Sequence, residues 1–337
     1  MIFVQGLSNL LPLGRAGSFW FPPQSSSVAA GHDFVYDLVL WLCIIFFVAI
    51  CGATLYFMVK YRKRPGHKEE VTSTHNTKLE VTWSLVPLAL LMVVFFISTY
   101  WYLEMITPPE DDVYELNVTA QKWRWTFKYS GEPVGGTYFC KELHLIKGQA
   151  YQAVMTAPDN DVLHSMFIPA FRIKQDCVPG RYNRLWFRPI ELSPPEGFDL
   201  FCTEYCGDSH SNMITKVHVY ETEAEWIAGI KKDGDLKGLN PEDRGRAIHA
   251  QFCSTCHTVD GKAGTGPSWA GMWGKDRELA DGTVVPYDEN YVRQSVLEPN
   301  AKIAGGFAKP SAMTPFDWGT ENELYFDGII AYMKTLK

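Results

Sequence analysis

Two long apolar runs dominate the N-terminal third of the chain. Leu38–Val59 contains 22 consecutive residues without a charge, and Val81–Leu103 contains 23. An α-helix rises about 1.5 Å per residue, so each run is long enough to cross a hydrocarbon core of roughly 30 Å. A buried core helix of a soluble protein is the alternative, but two such runs in succession favour a transmembrane hairpin over residues 34–104.

Charged residues flank the two runs asymmetrically. The segment between the runs is rich in basic residues, namely Lys60, Arg62, Lys63, Arg64, Lys68 and Lys78. The segment after the second run is acidic and carries Glu104, Glu110, Asp111 and Asp112. Because lysine and arginine stay on the cytoplasmic side of a membrane, both termini are expected on the outer side. The loop-like residues 1–33 and everything after the hairpin would then face outward.

Residues 105–222 alternate short β-rich runs with turn signals such as Val178-Pro-Gly180. The six runs are Tyr114–Thr119, Trp123–Tyr129, Glu142–Ile146, Tyr151–Thr156, Tyr182–Phe187 and Ile214–Tyr220. Many short strands at this spacing indicate an all-β sandwich or Greek-key barrel. His144 and His218 fall within these runs and are interpreted as packing residues.

Composition narrows the classes of function. A chain of 337 residues can hold two or three domains, and 46% hydrophobic with 14% aromatic residues fits membrane segments combined with compact domains. The net charge of −7 argues against nucleic acid as a partner. Cys43 and Cys51 lie in an apolar run and read as small buried hydrophobes. Cys140 and Cys177 are equally compatible with a disulfide and with two buried thiols.

Metal-ligating residue types are concentrated near the end of the β-rich segment. Cys202, Cys206, His210 and Met213 lie within twelve residues, and His164 lies upstream. Thiolate, imidazole and thioether together form a soft ligand set that suits copper. Two thiolates and two imidazoles also suit structural zinc, and a disulfide closing a tight loop is a third interpretation. The nearby thioether favours copper, because zinc has no use for it.

A second redox motif follows a charged linker at residues 223–239, for which the sequence predicts one helical turn. Within residues 240–337, Cys253-Ser-Thr-Cys256-His257 has the C-x-x-C-H spacing of c-type haem attachment. The two thiols form thioethers with the haem vinyl groups, and the adjacent histidine is then held beneath the iron. Asn240 and Pro241 predict the start of a helix that leads into this motif.

At the Cys202–Met213 cluster the chain closely resembles subunit II of the haem-copper cytochrome c oxidases. That family has a histidine in a D-V-L-H-S segment, followed by C-x-E-x-C-x-x-x-H-x-x-M, and every position is present here. The resemblance implies a cupredoxin fold and a binuclear copper A centre in which Cys202 and Cys206 bridge two coppers. The other ligands that it implies are His164, His210, Met213 and the backbone carbonyl of Glu204.

The resemblance also implies roles for three further residues. The family has a glutamate three residues before a tryptophan, near the mouth of a proton channel, so Glu80 is a candidate proton-channel entrance; a solvated carboxylate at a helix start is the interpretation from spacing alone. Trp123 matches the tryptophan at which electrons enter above copper A, with ordinary strand packing as the alternative. Family members often have tyrosine where Arg124 stands. The Glu204 carboxylate is implied to help bind magnesium at the interface with subunit I.

The C-terminal segment resembles an all-α class I cytochrome c. Met313-Thr-Pro-Phe316 is similar to the M-x-P-F context of axial methionines in that class, which makes Met313 the candidate sixth ligand of the iron. Met272 is the rival, although it falls where the class usually has a packing residue. Histidine–methionine ligation raises the potential of the iron, as an electron donor to copper requires.

A hairpin, a cupredoxin domain and a fused cytochrome in this order resemble the caa type of oxidase. The resemblance implies an electron-input subunit in the bacterial inner membrane, passing electrons from haem c to copper A and on to haem a in subunit I, where oxygen is reduced to water and protons are pumped. The implied partners are subunits I and III and an upstream donor, either a soluble cytochrome or a quinol-oxidising complex. Two alternatives remain open: the electron-transfer subunit of a copper A-containing nitric oxide or nitrous oxide reductase, and a structural or assembly subunit with vestigial sites.

Overall fold

The computed structural model describes residues 17, 20–66, 73–110, 112–316 and 318–336. Most of the predicted N-terminal segment therefore lies outside the described residues, as do Lys68 and Asp111 of the predicted charge asymmetry. The chain divides into two compact units. The first unit comprises the residues up to Pro109 together with Ala170–Arg172, and the second comprises the remainder.

The first unit contains two long helices, α1 (Ala29–Lys60) and α2 (Thr77–Ile106). Both are long and apolar enough to cross a membrane, and the most apolar stretch of each is unburied within the protein. Large apolar side chains such as Phe47 and Phe96 are more than 60% exposed. Such surfaces are stable in lipid rather than in water, in agreement with the predicted hairpin.

The second unit begins with a sandwich of ten strands in two five-stranded sheets. The strands are β1 (Val113–Gln121), β2 (Arg124–Gly131), β3 (Gly136–Cys140), β4 (Leu143–Ile146), β5 (Ala150–Thr156), β6 (His164–Ile168), β7 (Ile173–Cys177), β8 (Asn183–Phe187), β9 (Phe198–Cys202) and β10 (Ile214–Tyr220). One sheet has the order β3-β2-β1-β5-β8, and the other has the order β4-β10-β9-β6-β7. The pairs β1/β5 and β4/β10 are parallel, and the remaining pairs are antiparallel.

Side chains of period two fill the space between the sheets. Trp125, Phe127 and Tyr129 alternate along β2 and are at most 3% exposed. Successive side chains of a strand point to opposite faces, so this alternation places one face of each sheet in the core. The predicted all-β domain is confirmed as a β sandwich of cupredoxin-like organisation.

The segment that follows the sandwich is more ordered than its charged sequence predicts. Instead of one helical turn, it forms the 12-residue helix α3 (Glu223–Gly234). Thr222 and Glu225 form a capping box at its start, each side chain accepting the other residue's backbone N–H. Trp226 and Ile230 lie one helical turn apart and are almost completely buried. Their burial holds the helix against the rest of the protein, so this part of the predicted linker is a packed helix.

The C-terminal residues form helices α4 (Pro241–Ile248), α5 (Glu289–Leu297) and α6 (Asn322–Thr335). Asn240 caps α4 by accepting the backbone N–H of Asp243 at 2.9 Å, and a π-helical turn over His249–Cys253 continues it. The all-α expectation is incomplete, because a short hairpin, β11 (Asp276–Glu278) with β12 (Val284–Pro286), is also present. Runs of three residues are too short to show a strand period in the sequence.

Candidate metal centre

The five predicted side-chain ligands of the copper-type cluster meet at one end of the sandwich. His164 begins β6 and Cys202 ends the adjacent strand β9, with which β6 pairs in antiparallel register. Cys206, His210 and Met213 come from the connection between β9 and β10. A 3.1 Å hydrogen bond from Cys202 N–H to the Met213 carbonyl closes this connection. The strands thereby fix both ends of the ligand-bearing loop.

The ligand atoms face one another across short distances. The two thiol sulfurs of Cys202 and Cys206 are 3.9 Å apart. Nδ1 of His164 lies 3.9 Å from Cys202 Sγ, and Nδ1 of His210 lies 3.4 Å from Cys206 Sγ. Sδ of Met213 is 3.9 Å from Cys206 Sγ. Each sulfur therefore has an imidazole of its own.

These distances argue against the two alternatives to copper, a disulfide and a structural zinc site. A disulfide has a sulfur–sulfur bond of about 2.05 Å, whereas Cys202 and Cys206 are free thiols 3.9 Å apart. Two metal–sulfur bonds of about 2.3 Å can span that separation. Ligand atoms of His164, Cys202 and Cys206 all lie within 4.8 Å of one another, but His210 does not join this group. Two imidazoles on different sulfurs fit two ions better than one tetrahedral zinc.

The two thiols differ in acidity. Burial raises the pKa of both, but at Cys202 the hydrogen bonds from His164 and from the backbone outweigh burial and lower the pKa to about 7. At Cys206, burial and the adjacent Cys202 sulfur raise the pKa to about 12. One thiolate is thus favoured by the protein alone, and a bound cation is needed to hold both thiolates side by side.

Asp161 orients the upstream histidine. Its carboxylate lies 3.3 Å from His164 Nε2, on the side of the ring away from the sulfurs. The backbone N–H groups of Val162 and Lys122 donate to the same carboxylate at 2.7 and 3.0 Å. Burial raises the pKa of Asp161, but these hydrogen bonds outweigh it and lower the pKa overall. An anion on Nε2 leaves Nδ1 as the ligating nitrogen, which is the arrangement usual around metal-bound histidine.

Trp123 is connected directly to the cluster. Its indole Nε1 donates a 2.9 Å hydrogen bond to the carbonyl oxygen of Cys206, and its side chain is 5% exposed. Gly207 has φ +113°, and a Cβ there would lie 3.1 Å from the indole ring. Only glycine combines this backbone conformation with that close approach.

The two predicted glutamates differ in exposure, since Glu80 is half-buried and Glu204 is exposed. Glu204 is exposed, and its carbonyl oxygen lies 3.3 Å from Cys202 Sγ, near the sulfur pair. Glu80 lies in the first turn of α2, where its carboxylate accepts the backbone N–H of Asn76 at 3.1 Å. This capping contact agrees with the helix-start interpretation of Glu80. The predicted roles in magnesium binding and proton entrance stay predictions.

Cys140 and Cys177 are buried free thiols rather than a disulfide. Cys140 ends β3 and Cys177 ends β7, so they belong to different sheets.

A cavity of about 340 Å³ lies among the C-terminal helices, within the same unit as the sandwich. Cys253, Cys256, His257 and Met313 all line it, whereas the rival Met272 is not among its lining residues. Most of the remaining wall is apolar and aromatic. The C-x-x-C-H motif and the predicted sixth ligand thus border one space.

The His257 ring is held in one orientation. Its Nδ1 lies 2.8 Å from the Pro267 carbonyl, which can only accept, so Nδ1 carries the proton. Gly266 packs so closely that an added Cβ would lie 2.6 Å from the ring. Burial lowers the pKa of His257, which favours the neutral imidazole. Neutral imidazole with an unprotonated Nε2 is the form that binds a metal.

Arg124 is a candidate functional residue that was not identified from the sequence, although family members often have tyrosine at this position. Its guanidinium lines the same cavity and stacks on Phe316 at 3.8 Å. It hydrogen-bonds Gln121, but its Nε is buried and has no hydrogen-bond partner among the residues that the structure describes. Burial lowers the pKa of Arg124 to about 10, so it remains charged at neutral pH. The signals in the sequence were its position next to Trp123 and the tyrosine that family members often have there.

Two family sequence profiles match the chain. Residues 14–100 match the transmembrane domain of cytochrome c oxidase subunit II, and residues 139–219 match its periplasmic domain. The second range includes every predicted copper ligand. The chain belongs to the cytochrome c oxidase subunit II family. It is accordingly a two-span membrane protein with a periplasmic domain, and an electron-transfer subunit of a haem-copper oxidase.

Several relatives of this subunit II are named cytochrome c oxidase subunit 2. The protein from Alkalihalophilus pseudofirmus is 27% identical over 90% of this chain and 88% of its own length. The relative from Bacillus sp. PS3 is 25% identical over 82% of this chain and 80% of its own length. The crystal structure of the periplasmic domain of subunit II from Bradyrhizobium japonicum is 25% identical and covers 37% of this chain and 98% of that domain, with a TM-score of 0.31.

The periplasmic domain of subunit II implies a binuclear copper A centre. The residues present fit it: two facing sulfurs, one imidazole beside each, a buried thioether and an aspartate that orients one ring. A second cluster of ligand types, Cys140, His144 and Asp233, is separate from this centre.

Proposed function

We propose that this subunit II is the electron-input subunit of a caa-type terminal respiratory oxidase, with a covalently bound haem c in its C-terminal module. The observation that carries the proposal is that Trp123 both lines the C-x-x-C-H cavity and donates a hydrogen bond to Cys206. One side chain thereby touches both proposed redox sites. The alignment with the Alkalihalophilus protein supports the proposal, because 90% coverage must include at least part of residues 240–337.

The side chains that line the cavity include the thiols, the imidazole and the thioether that a c-type haem requires. Cys253 and Cys256 would form the thioethers, His257 would supply a nitrogen ligand to the iron, and Met313 would supply a sulfur ligand. When bound, the haem and the copper pair supply one-electron redox chemistry. The hydrogen bond from His257 Nδ1 to the Pro267 carbonyl leaves Nε2 as the unprotonated nitrogen, and burial favours the neutral imidazole. The largely apolar wall excludes water.

The copper A ligands have distinct tasks in this proposal. Cys202 and Cys206 would both hold the copper pair, while His164, beside Cys202, and His210, beside Cys206, would each bind one ion. Met213 and the Glu204 carbonyl are the weak ligands. Asp161 holds His164 in its ligating orientation through the 3.3 Å contact with Nε2.

The membrane arrangement follows from the charges around α1 and α2. The basic segment between the helices would face the cytoplasm, and both termini and both redox modules would face the periplasm. The partners are subunits I and III and a soluble cytochrome or quinol-oxidising complex upstream. Glu80 would lie at a proton-channel entrance, and the Glu204 carboxylate would contribute to a magnesium site at subunit I.

Purification of the membrane complex tests this function. The complex is assayed for oxygen uptake and for nitric oxide and nitrous oxide turnover, and the subunit is stained for covalent haem after denaturation. Oxygen uptake together with a haem-staining band of this chain's size supports the proposal. Turnover of a nitrogen oxide without oxygen uptake, or a chain without covalent haem, contradicts it.

A further inference from the structure

A second group of metal-ligating side chains lies where α3 packs on the sandwich. Cys140 ends β3, His144 lies in β4, and Asp233 is near the end of α3. Cys140 and His144 are buried, and Asp233 is partly buried. Gly234 leaves room for the sulfur, since a Cβ there would lie 2.8 Å from Cys140 Sγ. The three residues come from three elements and converge only in the folded protein.

The distances among their ligand atoms match those of a small tetrahedral site. One ligand atom from each residue lies within 4.8 Å of the other two. His144 Nε2 and Asp233 Oδ2 are 3.3 Å apart. Two ligand atoms about 2.0–2.1 Å from a tetrahedral ion are separated by about 3.3 Å. The existing spacing therefore accommodates an ion with little movement of the backbone.

Neighbouring groups hold the histidine and the aspartate in this geometry. The Tyr220 hydroxyl lies 3.0 Å from His144 Nδ1 and fixes the ring with Nε2 toward Asp233. The Glu142 backbone N–H donates to Asp233 Oδ2 at 2.9 Å. His218 stacks on the His144 ring at a centroid distance of 5.6 Å. Hydrogen bonds of this kind to the far side of a ligating imidazole are typical of metal sites.

We propose that Cys140, His144 and Asp233 bind one Zn²⁺ ion, with the fourth position open to solvent or a small ligand. Thiolate, imidazole and carboxylate are all zinc donors, whereas the copper centre of this chain uses sulfur and nitrogen side chains. The ion displaces the thiol proton of Cys140, which otherwise points to the Ile230 carbonyl at 3.5 Å. The bound ion ties α3 to β3 and β4, and thereby secures the segment that leads into α4.

Metal analysis of the purified complex tests the proposal. After dialysis against a weak chelator, the zinc content of the wild-type complex is compared with that of Cys140→Ser and Asp233→Asn. The wild type is expected to hold about one zinc per chain more than either variant, with copper unchanged. Cys43, which is exposed and not buried as its apolar run predicts, and the exposed Asp235 both lie outside the cluster. Cys43→Ser and Asp235→Asn are therefore the matched controls and are expected to retain the ion.

Cobalt supplies a second readout that does not depend on zinc elsewhere in the complex. Co²⁺ exchanged into the wild-type complex is expected to give a thiolate-to-cobalt charge-transfer band that is lost in Cys140→Ser. The near-infrared absorption of copper A reports whether each variant is folded. Equal zinc in the wild type and both variants, loss of copper instead of zinc, or no charge-transfer band in the wild type would each overturn the proposal.

Discussion

The indole Nε1 of Trp123 donates a 2.9 Å hydrogen bond to the carbonyl oxygen of Cys206, although the two residues are 83 positions apart in the sequence. Trp123 also lines the cavity that contains Cys253, Cys256 and His257. A buried aromatic ring that touches the predicted copper ligand Cys206 on one side and the cavity of the C-x-x-C-H motif on the other is suited to connect them.

Replacement of Trp123 by phenylalanine removes the hydrogen bond and leaves the buried Cys206 carbonyl without a partner. We expect a loss of about 1–3 kcal/mol in the free energy of unfolding of the sandwich. We also expect slower reduction of copper A after the haem is reduced, with both absorption spectra retained. Stopped-flow absorption at the two centres measures the rate.

The matched control is Trp273→Phe, which changes a tryptophan that does not line the cavity. An unchanged rate of copper A reduction in Trp123→Phe would remove Trp123 from the electron path.

Replacement of Arg124 by glutamine removes a partly buried positive charge from the cavity that Cys253 and Cys256 also line. A cation near the cavity disfavours the oxidised, more positive iron by on the order of 1 kcal/mol. For one electron this corresponds to tens of millivolts, so we expect the midpoint potential of the haem to fall by that amount. Redox titration of the haem absorption measures it.

Arg124→Lys keeps the charge and is expected to recover most of the potential. Arg184→Gln, which changes an exposed arginine on β8, is expected to leave the potential unaltered. Equal potentials in Arg124→Gln and the wild type would show that the guanidinium does not act on the iron.

Replacement of Met313 by leucine tests the axial sulfur. Met313 lines the cavity and Met272 does not, so we expect only Met313→Leu to change the spin state of the iron and to lower its potential. Absorption and magnetic circular dichroism spectra of the two variants distinguish the ligands. A normal spectrum in Met313→Leu with a changed one in Met272→Leu would reverse the assignment.

Replacement of Asp161 by asparagine weakens the support of His164 without removing a copper ligand. Loss of such a partner typically costs about 10–100-fold in metal affinity. We expect copper to be withdrawn from Asp161→Asn at correspondingly lower chelator concentration, while covalent haem is unaffected. Asp159→Asn, at an exposed position on the same loop, is the control. Wild-type copper retention in Asp161→Asn would mean that the 3.3 Å contact is not needed to hold the ring.

The sequence predicts a cluster of ligand-type side chains, which the structure brings together, because most of its members are local. Cys202, Cys206, His210 and Met213 fall within twelve residues, and their spacing is itself the signal. The helices α1 and α2 are predicted for a similar reason, because their signal is also local: a long uncharged run is rarely stable except as a helix in the membrane. In contrast, His144 and Asp233 are 89 positions apart, and only the packing of α3 on the sandwich brings them together.

The segment at residues 223–239 shows why composition can mislead. Its many charges favour a linker with only one helical turn, but Trp226 and Ile230 are spaced for one helical face and bury almost completely. Arg124 illustrates a different limit. A strand position predicts which face a side chain occupies, but not that the opposing surface is an aromatic cavity wall from another part of the chain.

Electron paramagnetic resonance of the oxidised complex tests the central claim most directly. If two coppers bridged by Cys202 and Cys206 share one unpaired electron, the spectrum shows a seven-line hyperfine pattern, and Cys206→Ser abolishes it while the haem signal remains. A four-line pattern from a single copper, or no copper signal in a complex that contains zinc at this cluster, would contradict the account.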